Sequence, residues 1–240
     1  RSIHGIEPFT IPDDEGWSRV RVIDPGYRNP CAINWIAMSP AGWRGCVHKD
    51  PDSGVETKLS VMVIYREFHE AGLKVPDIVD EMKKRSGQER YSVDLIDPSS
   101  DIHKGNEVAG LSTMEQFVEL GIKVIPANNT VAPGLDEVRR RMGVYGPSAA
   151  LLIFNNLEHT WREMLGYRYK DFSAKTLENQ DALEVVRKKN DHHPDNVRYV
   201  CQWRPIPARD GTKIVPFNSF AYARKIQDEP KRGSWARKGW

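Results

Sequence analysis

Residues 20–38 read VRVIDPGYRNPCAINWIAM, and this stretch decides the fold. Its two apolar runs, 20–24 and 32–38, flank a loop that begins with proline and glycine, which predicts a β-hairpin. The apolar run at 59–68 predicts a third strand. Between the second and third strands, residues 39–57 are rich in Gly, Pro and Asp, and this composition predicts a loop or an insertion.

Helices and strands alternate in the rest of the chain. Apolar side chains at helical spacing over residues 75–86 predict an amphipathic helix with a basic last turn. Farther along, the pattern predicts strands at 91–96 and 122–125, an apolar run at 149–154, and helices at 113–120, 135–142, 157–165 and 192–203. Three leading strands followed by this alternation predict an α/β fold in which helices cover a mixed sheet.

The composition excludes several classes of protein. The apolar share of 39% in 240 residues is ordinary for a folded globular protein. The longest apolar run, 149–154, is far shorter than the roughly 20 residues of a membrane-spanning helix. Three cysteines without Cys-x-x-Cys spacing argue against a disulfide framework and a structural zinc site, and they suit a reducing compartment. A net charge of +2 is too small to indicate nucleic-acid binding by itself.

Two aspartates stand where predicted strands end. Asp24 closes the first strand and Asp97 the fourth, and a proline follows each of them. Either Asp-Pro pair alone is better explained as a turn former, because Asp and Pro are turn residues for local reasons. In the familiar sheet order 3-2-1-4-5, however, the first and fourth strands are neighbours and their ends face the crevice where ligands bind. The two carboxylates would then lie close together, where cations are needed to offset their repulsion.

A third acid comes from residues 190–199, NDHHPDNVRY. Pro194 fits only the first turn of a helix, so Asn190 or Asp191 is expected at the N-cap, with backbone N–H groups occupying the cap side chain. Asp195 lies one turn farther on and is freer to bind a metal, and His192 stands on nearly the same helix face. A capped surface helix with solvated histidines is the alternative interpretation.

These motifs, in this order, resemble the nuclease domain of phage terminase large subunits. The matching stretches are IDPGY at 23–27, DPSS at 97–100 and D-H-x-x-D-x-x-R-Y at 191–199, with FVELGIKVIPANN at 117–129 between them. The resemblance extends over residues 20–203. It implies a ribonuclease H-like fold with strand order 3-2-1-4-5, two divalent metal ions, Mg²⁺ or Mn²⁺, and DNA cleavage during genome packaging.

The resemblance also carries roles for individual residues. It implies that Asp24 bridges the two metal ions and that Asp97 and Asp195 each bind one of them. His192 is expected to support this site or to handle a proton. Asp191 is an alternative third ligand, because the neighbours of Asp195 are larger and more polar than is usual in the family.

The resemblance marks residues 20–203 as the nuclease domain, which leaves an N-terminal linker (1–19). The excess of Lys and Arg over Asp and Glu predicts a basic C-terminal tail (204–240). The chain begins with Arg1 and contains no Gly-Lys dipeptide, so we expect a piece of a longer protein without its ATPase half. The implied partners are double-stranded DNA, the terminase small subunit and the portal, without a membrane. The implied location is the host cytoplasm rather than the mature virion.

Two other functions fit the same residues. One is a different ribonuclease H-like nuclease, of the resolvase or transposase type. The other is a non-catalytic DNA-binding or assembly module in which the aspartates only form turns.

Overall fold

The computed structural model describes residues 2–13, 15–101, 110–168 and 190–205. Its strands are β1 (Gly5–Ile6), β2 (Ser18–Asp24), β3 (Cys31–Met38), β4 (Val47–Lys49), β5 (Glu56–Lys58), β6 (Met62–Glu70), β7 (Val93–Ile96), β8 (Val124–Pro126), β9 (Val144–Tyr145), β10 (Ser148–Ala149) and β11 (Leu151–Phe154). Its helices are α1 (Val75–Ser86), α2 (Thr113–Glu119), α3 (Val131–Arg141), α4 (Glu158–Gly166) and α5 (His192–Trp203), with 3₁₀ turns at Trp43–Gly45 and Pro98–Asp101.

A seven-stranded mixed sheet forms the centre, in the order β1-β11-β6-β3-β2-β7-β8. Its last five strands reproduce the predicted order 3-2-1-4-5, and the predicted α/β, ribonuclease H-like fold class is confirmed. β2 runs antiparallel to β3 and parallel to β7, and β8 continues parallel beside β7. The ends of β2 and β7 therefore meet at one edge of the sheet.

The middle of the sheet is covered on both faces. Every residue of β3 is buried, as is expected of a central strand between two helical layers. Neighbouring side chains of a strand point to opposite faces. The Asn34 side chain accepts a hydrogen bond from Asn196 of α5, whereas the Trp35 indole donates to Ser86 at the end of α1. Helix α5 thus covers one face and α1 the other.

Two segments differ from the sequence prediction. Within residues 39–57, predicted as a loop or insertion, lies the exposed antiparallel pair β4–β5. In the predicted N-terminal linker, β1 pairs with β11, and Ile11 and Trp17 belong to the core. Their apolar side chains hold this stretch against the sheet. The division into 1–19, 20–203 and 204–240 stays a prediction, and nearly all of the basic tail lies outside the described residues.

No helix in the described part of the chain is long and apolar enough to cross a membrane.

Gly134 sets how closely α3 approaches α5. A Cβ atom at this position would lie 2.4 Å from Gln202 Nε2 and 2.5 Å from Arg198 Cγ.

We expect Gly134→Ala to lower the free energy of unfolding by about 1–3 kcal/mol, because overpacking forces the two helices apart. Urea unfolding measures the change. The control is Gly166→Ala in α4, where a Cβ meets nothing within 4 Å and should change stability by less than about 1 kcal/mol. Equal effects of the two substitutions would contradict this account of the packing.

Candidate active site

Asp24 and Asp97 lie side by side at the sheet edge. Asp24 is the last residue of β2, and Asp97 directly follows β7. The parallel register pairs Ile23 with Ile96, and the Asp97 N–H donates to the Ile23 carbonyl at 2.9 Å. The two aspartates therefore leave adjacent strands at the same level, as the sequence predicted for neighbouring strand ends.

Helix α5 brings a third acid and a histidine to this edge. Asp195 lies in its first turn and is 7% exposed. His192 begins the helix, and its Nδ1 atom lies 2.7 Å from Asp24 Oδ2. The structure thus brings together all four residues of the predicted site: Asp24, Asp97, Asp195 and His192.

The electrostatics show that Asp97 and Asp195 act on Asp24. Burial is the main reason that the pKa of Asp24 is raised, and the charges of Asp97 and Asp195 raise it further. The His192 imidazole opposes this rise through its hydrogen bond. In turn, that hydrogen bond to Asp24 is the main cause of the raised pKa of His192. The site therefore concentrates negative charge that favours a proton on His192 or another cation nearby.

Helix α5 also supplies partners for the other two acids. The Tyr199 hydroxyl donates to Asp97 Oδ2. The Arg198 guanidinium contacts Asp195 Oδ1, with Nη2 at 3.1 Å and Nε at 3.3 Å, and the Tyr167 hydroxyl reaches the same oxygen at 3.3 Å. Within the described ranges, no three or more His, Cys, Asp or Glu side chains are already arranged around one metal position. The carboxylates of Asp24, Asp97 and Asp195 instead contact His192, Tyr199 and Arg198.

Asp191 takes the predicted N-cap position of α5, but its carboxylate makes no capping hydrogen bond. The prediction that backbone N–H groups occupy this side chain is therefore wrong. The Asp191 carbonyl accepts the Asp195 N–H at 2.8 Å, which is the normal first bond of a helix. The charge of Asp191 acts on His192 and Glu163, whereas Asp195 acts on Asp24. Asp195 is thus the acid of α5 that belongs with the strand-end aspartates.

A buried polar network that sequence reasoning missed holds the start of α5. His193 lies at its centre: the backbone N–H donates to Glu163 Oε2 at 2.8 Å, and ring Nδ1 lies 2.9 Å from Asn34 Oδ1. Asn196 donates to Asn34 and to the Ala32 carbonyl, both at 3.1 Å. Burial lowers the pKa of His193 well below its ordinary value, so this imidazole stays neutral. The available signal was Asn34, a lone polar residue within the apolar run of β3.

A second carboxylate fixes α4 beside this network. Glu67 of β6 accepts the N–H groups of His159 and Thr160 at 3.0 and 2.7 Å, so it takes the place of a cap at the helix N-terminus. The Thr160 hydroxyl then accepts a hydrogen bond from Asn34 at 3.1 Å. Helices α4 and α5 are therefore tied to the same strand through Asn34.

Comparison with known proteins gives matches at the level of structure. No protein-family model and no curated protein sequence matches the chain. The structure is similar to the large terminase of a thermophilic bacteriophage, with a TM-score of 0.61 and 18% identity over 84% of this chain and 43% of that protein. It is also similar to the P22 large terminase nuclease domain, with a TM-score of 0.56 and 18% identity over 86% of this chain and 90% of that domain.

The chain has the fold of a phage large terminase nuclease domain. It spans less than half the length of the large terminase from the thermophilic phage. The predicted resemblance, which rested on short motifs around Asp24, Asp97 and Asp195, is therefore confirmed for the fold.

The pairing of His192 with Asp24 can be tested by titration. We expect Asp24→Asn to lower the pKa of His192 towards its ordinary value of 6.5, because the substitution removes the charge that holds the proton. NMR of the imidazole nitrogens as a function of pH, without divalent cations, measures the change. Asp195→Asn is the control, since Asp195 is not among the main causes of the pKa shift of His192. The same His192 titration in wild type and Asp24→Asn would rule out the pairing.

The sign of the accompanying stability change follows from the raised pKa. The His192 imidazolium stabilises the folded chain fully below the unfolded value near 6.5. That stabilisation is lost as the pH rises through the higher value of the folded chain.

Proposed function

We propose that this chain is the nuclease domain of a phage terminase large subunit and hydrolyses phosphodiester bonds of DNA with the help of divalent metal ions. The observation that carries the proposal is the meeting of Asp24, Asp97 and Asp195 at one sheet edge, within a fold similar to terminase nuclease domains. Turn formers have no reason to be partly buried and within electrostatic reach of one another. The site therefore favours chemistry over a purely structural role for the three acids.

The donor set suits Mg²⁺ or Mn²⁺. All three acids offer carboxylate oxygens, the hard ligands that these ions prefer. The pKa of Asp24 is raised mainly by burial and further by the charges of Asp97 and Asp195, and a bound cation would offset both. We propose that Asp24 bridges two ions and that Asp97 and Asp195 each bind one. Bound ions of this kind activate a water molecule and stabilise the leaving oxygen of a phosphodiester.

The other side chains of the site orient the acids, and one of them also carries a proton. His192 keeps a proton at Nδ1, shared with Asp24 Oδ2, and so fixes the rotamer of Asp24. Tyr199 and Arg198 orient Asp97 and Asp195 through their hydrogen bonds. Helix α5 thus sets the positions of all three carboxylates, because each of them contacts one of its side chains.

We propose double-stranded DNA as the substrate, contacted mainly through its backbone and hence cut with little sequence preference.

In a full-length protein the domain would work with a small terminase subunit and the portal in the host cytoplasm. Another ribonuclease H-like nuclease of the resolvase or transposase type would use the same acids. A phosphate-binding loop encoded upstream of Arg1, if the gene contains one, would favour the terminase. A non-catalytic module would not nick DNA with any metal ion.

Removal of any of the three acids should abolish cleavage. We expect wild type to nick supercoiled plasmid with Mg²⁺ or Mn²⁺ but not with EDTA. Asp24→Asn, Asp97→Asn and Asp195→Asn should each lower the nicking rate by at least about 100-fold, because each removes ligand charge at nearly constant shape. The control is Asp136→Asn on α3, an exposed acid that pairs with Arg139 of its own helix. Near-normal nicking by Asp24→Asn would refute the assignment of the site.

Metal binding should separate Asp195 from Asp191. We expect Asp195→Asn to weaken Mn²⁺ binding by at least about tenfold, measured calorimetrically with the DNA-free protein, since the substitution removes a ligand. Asp191→Asn should keep the affinity within about twofold, because Asp191 acts on the histidine side of the site rather than on Asp24. The opposite ranking of the two variants would move the third ligand to Asp191.

A further inference from the structure

We propose that the Asn129 carboxamide binds a phosphate oxygen of the DNA beside the three acids. This inference rests on the proposed nuclease function and adds a substrate-binding residue to it. The resemblance assigned no role to Asn129, which was only part of a matching stretch.

Asn129 lies at the sheet edge that carries the acids. It follows β8, which runs parallel beside β7, so the loop after β8 leaves the sheet next to Asp97. Asn129 is exposed, whereas Asp195 and Arg198 behind it are buried. Asn129 is therefore a solvent-exposed polar side chain in contact with the residues that hold the acids.

Arg198 of α5 fixes the carboxamide, and Tyr199 lies between it and Asp97. The carboxamide Oδ1 atom accepts a hydrogen bond from Arg198 Nη2 at 2.8 Å, and the Tyr199 hydroxyl oxygen lies 3.4 Å from the same atom. The single proton of that hydroxyl goes to its nearer acceptor, Asp97 Oδ2. Oδ1 of Asn129 is therefore one hydroxyl group away from the Asp97 carboxylate, within about 6 Å.

Arg198 is itself buried and held by several contacts. Its side chain is 1% exposed, pairs with Asp195, and also donates to the Thr130 carbonyl at 3.3 Å. Its guanidinium carbon lies 4.7 Å from the centre of the Tyr199 ring. The orientation of the Asn129 carboxamide therefore follows from buried groups, although Asn129 is exposed.

The exposed carboxamide, held at its oxygen, carries two N–H donors on Nδ2. In a carboxamide the oxygen accepts and the amino group donates, so the contact of Oδ1 with Arg198 leaves the donors of Nδ2 for another partner. The positive charge on Arg198 polarises the amide and strengthens its N–H donors. Such a donor suits phosphate, because it attracts the oxygen without bringing a cation that competes with metal ions for the carboxylates.

The experiment compares two adjacent asparagines in the full chain. Asn129→Asp keeps an acceptor for Arg198 but replaces the N–H donors by a second oxygen that repels phosphate. Asn128→Asp adds the same charge one residue earlier, where the side-chain oxygen serves the Thr130 N–H and hydroxyl within the loop, both at 2.9 Å. The binding probe is a fluorescent DNA duplex with Ca²⁺, and plasmid nicking with Mn²⁺ gives kcat and KM.

We expect Asn129→Asp to weaken duplex binding and raise KM about tenfold more than Asn128→Asp, which is the scale of one lost hydrogen bond to a charged group. Asn129→Ala, which removes the donors without adding charge, should show a smaller loss. Calorimetry with Mn²⁺ and thermal unfolding separate binding from structure. A residue that only holds Arg198 would show weakened Mn²⁺ binding in Asn129→Ala and full recovery of DNA binding in Asn129→Asp.

The role of Asn129 would be overturned if Asn129→Asp and Asn128→Asp had equal DNA affinities and KM values. Full recovery of DNA binding in Asn129→Asp would overturn it as well. Both outcomes leave the nuclease function standing. Absence of metal-dependent nicking by wild type would overturn the nuclease function, and the role of Asn129 with it.

Discussion

Repulsion among three carboxylates at one sheet edge is the constraint on which the site depends. Asp24 and Asp97 come together because parallel β2 and β7 end at the same level, and Asp195 adds a third negative charge. Uncompensated, such a cluster would push the strand ends apart or take up protons. Helix α5 prevents this by supplying one partner to each acid: His192, Tyr199 and Arg198.

Helix α5 can do this only because it is held firmly on the sheet. Its N-terminal turn is fixed by His193 and Asn196, which share the Asn34 carboxamide in the middle of β3. Its C-terminal half packs against α3, which can approach closely because Gly134 has no side chain. Polar contacts thus set the register of the helix, and close packing sets its distance from its neighbour. Both are needed to place side chains at hydrogen-bond distance from the acids.

The sequence predicted those parts of the structure whose signals are local. The hairpin of β2 and β3, the bounds of α1 and the first turn of α5 follow from apolar spacing and from Pro194. These elements are stabilised mainly by residues close to them in the sequence, so a short stretch of sequence is enough to predict them. By contrast, β4 and β5 are exposed strands of three residues each, too short to show an alternating pattern. β1 has two residues and forms only because β11 offers a free edge.

The candidate site was predictable for the acids and not for the residues that support them. Asp24 and Asp97 carry a signal because each ends a strand and precedes a proline. The roles of Asn34 and Asn129 arise from contacts with α5, more than 65 residues farther along the chain. The missing capping bond of Asp191 likewise depends on the three-dimensional setting of the helix.

The distance along the chain between Asp24 and its partner on α5 has a consequence for when the site forms. The hydrogen bond between Asp24 and His192 joins residues 168 positions apart. Contacts between residues so far apart in sequence form late in folding, because the chain between the two residues must first be brought together by the rest of the structure. During synthesis, both strand-end acids leave the ribosome well before the helix that supplies their partners. The acid cluster is therefore completed only after the sheet has been built, so an incomplete or truncated chain lacks the assembled site.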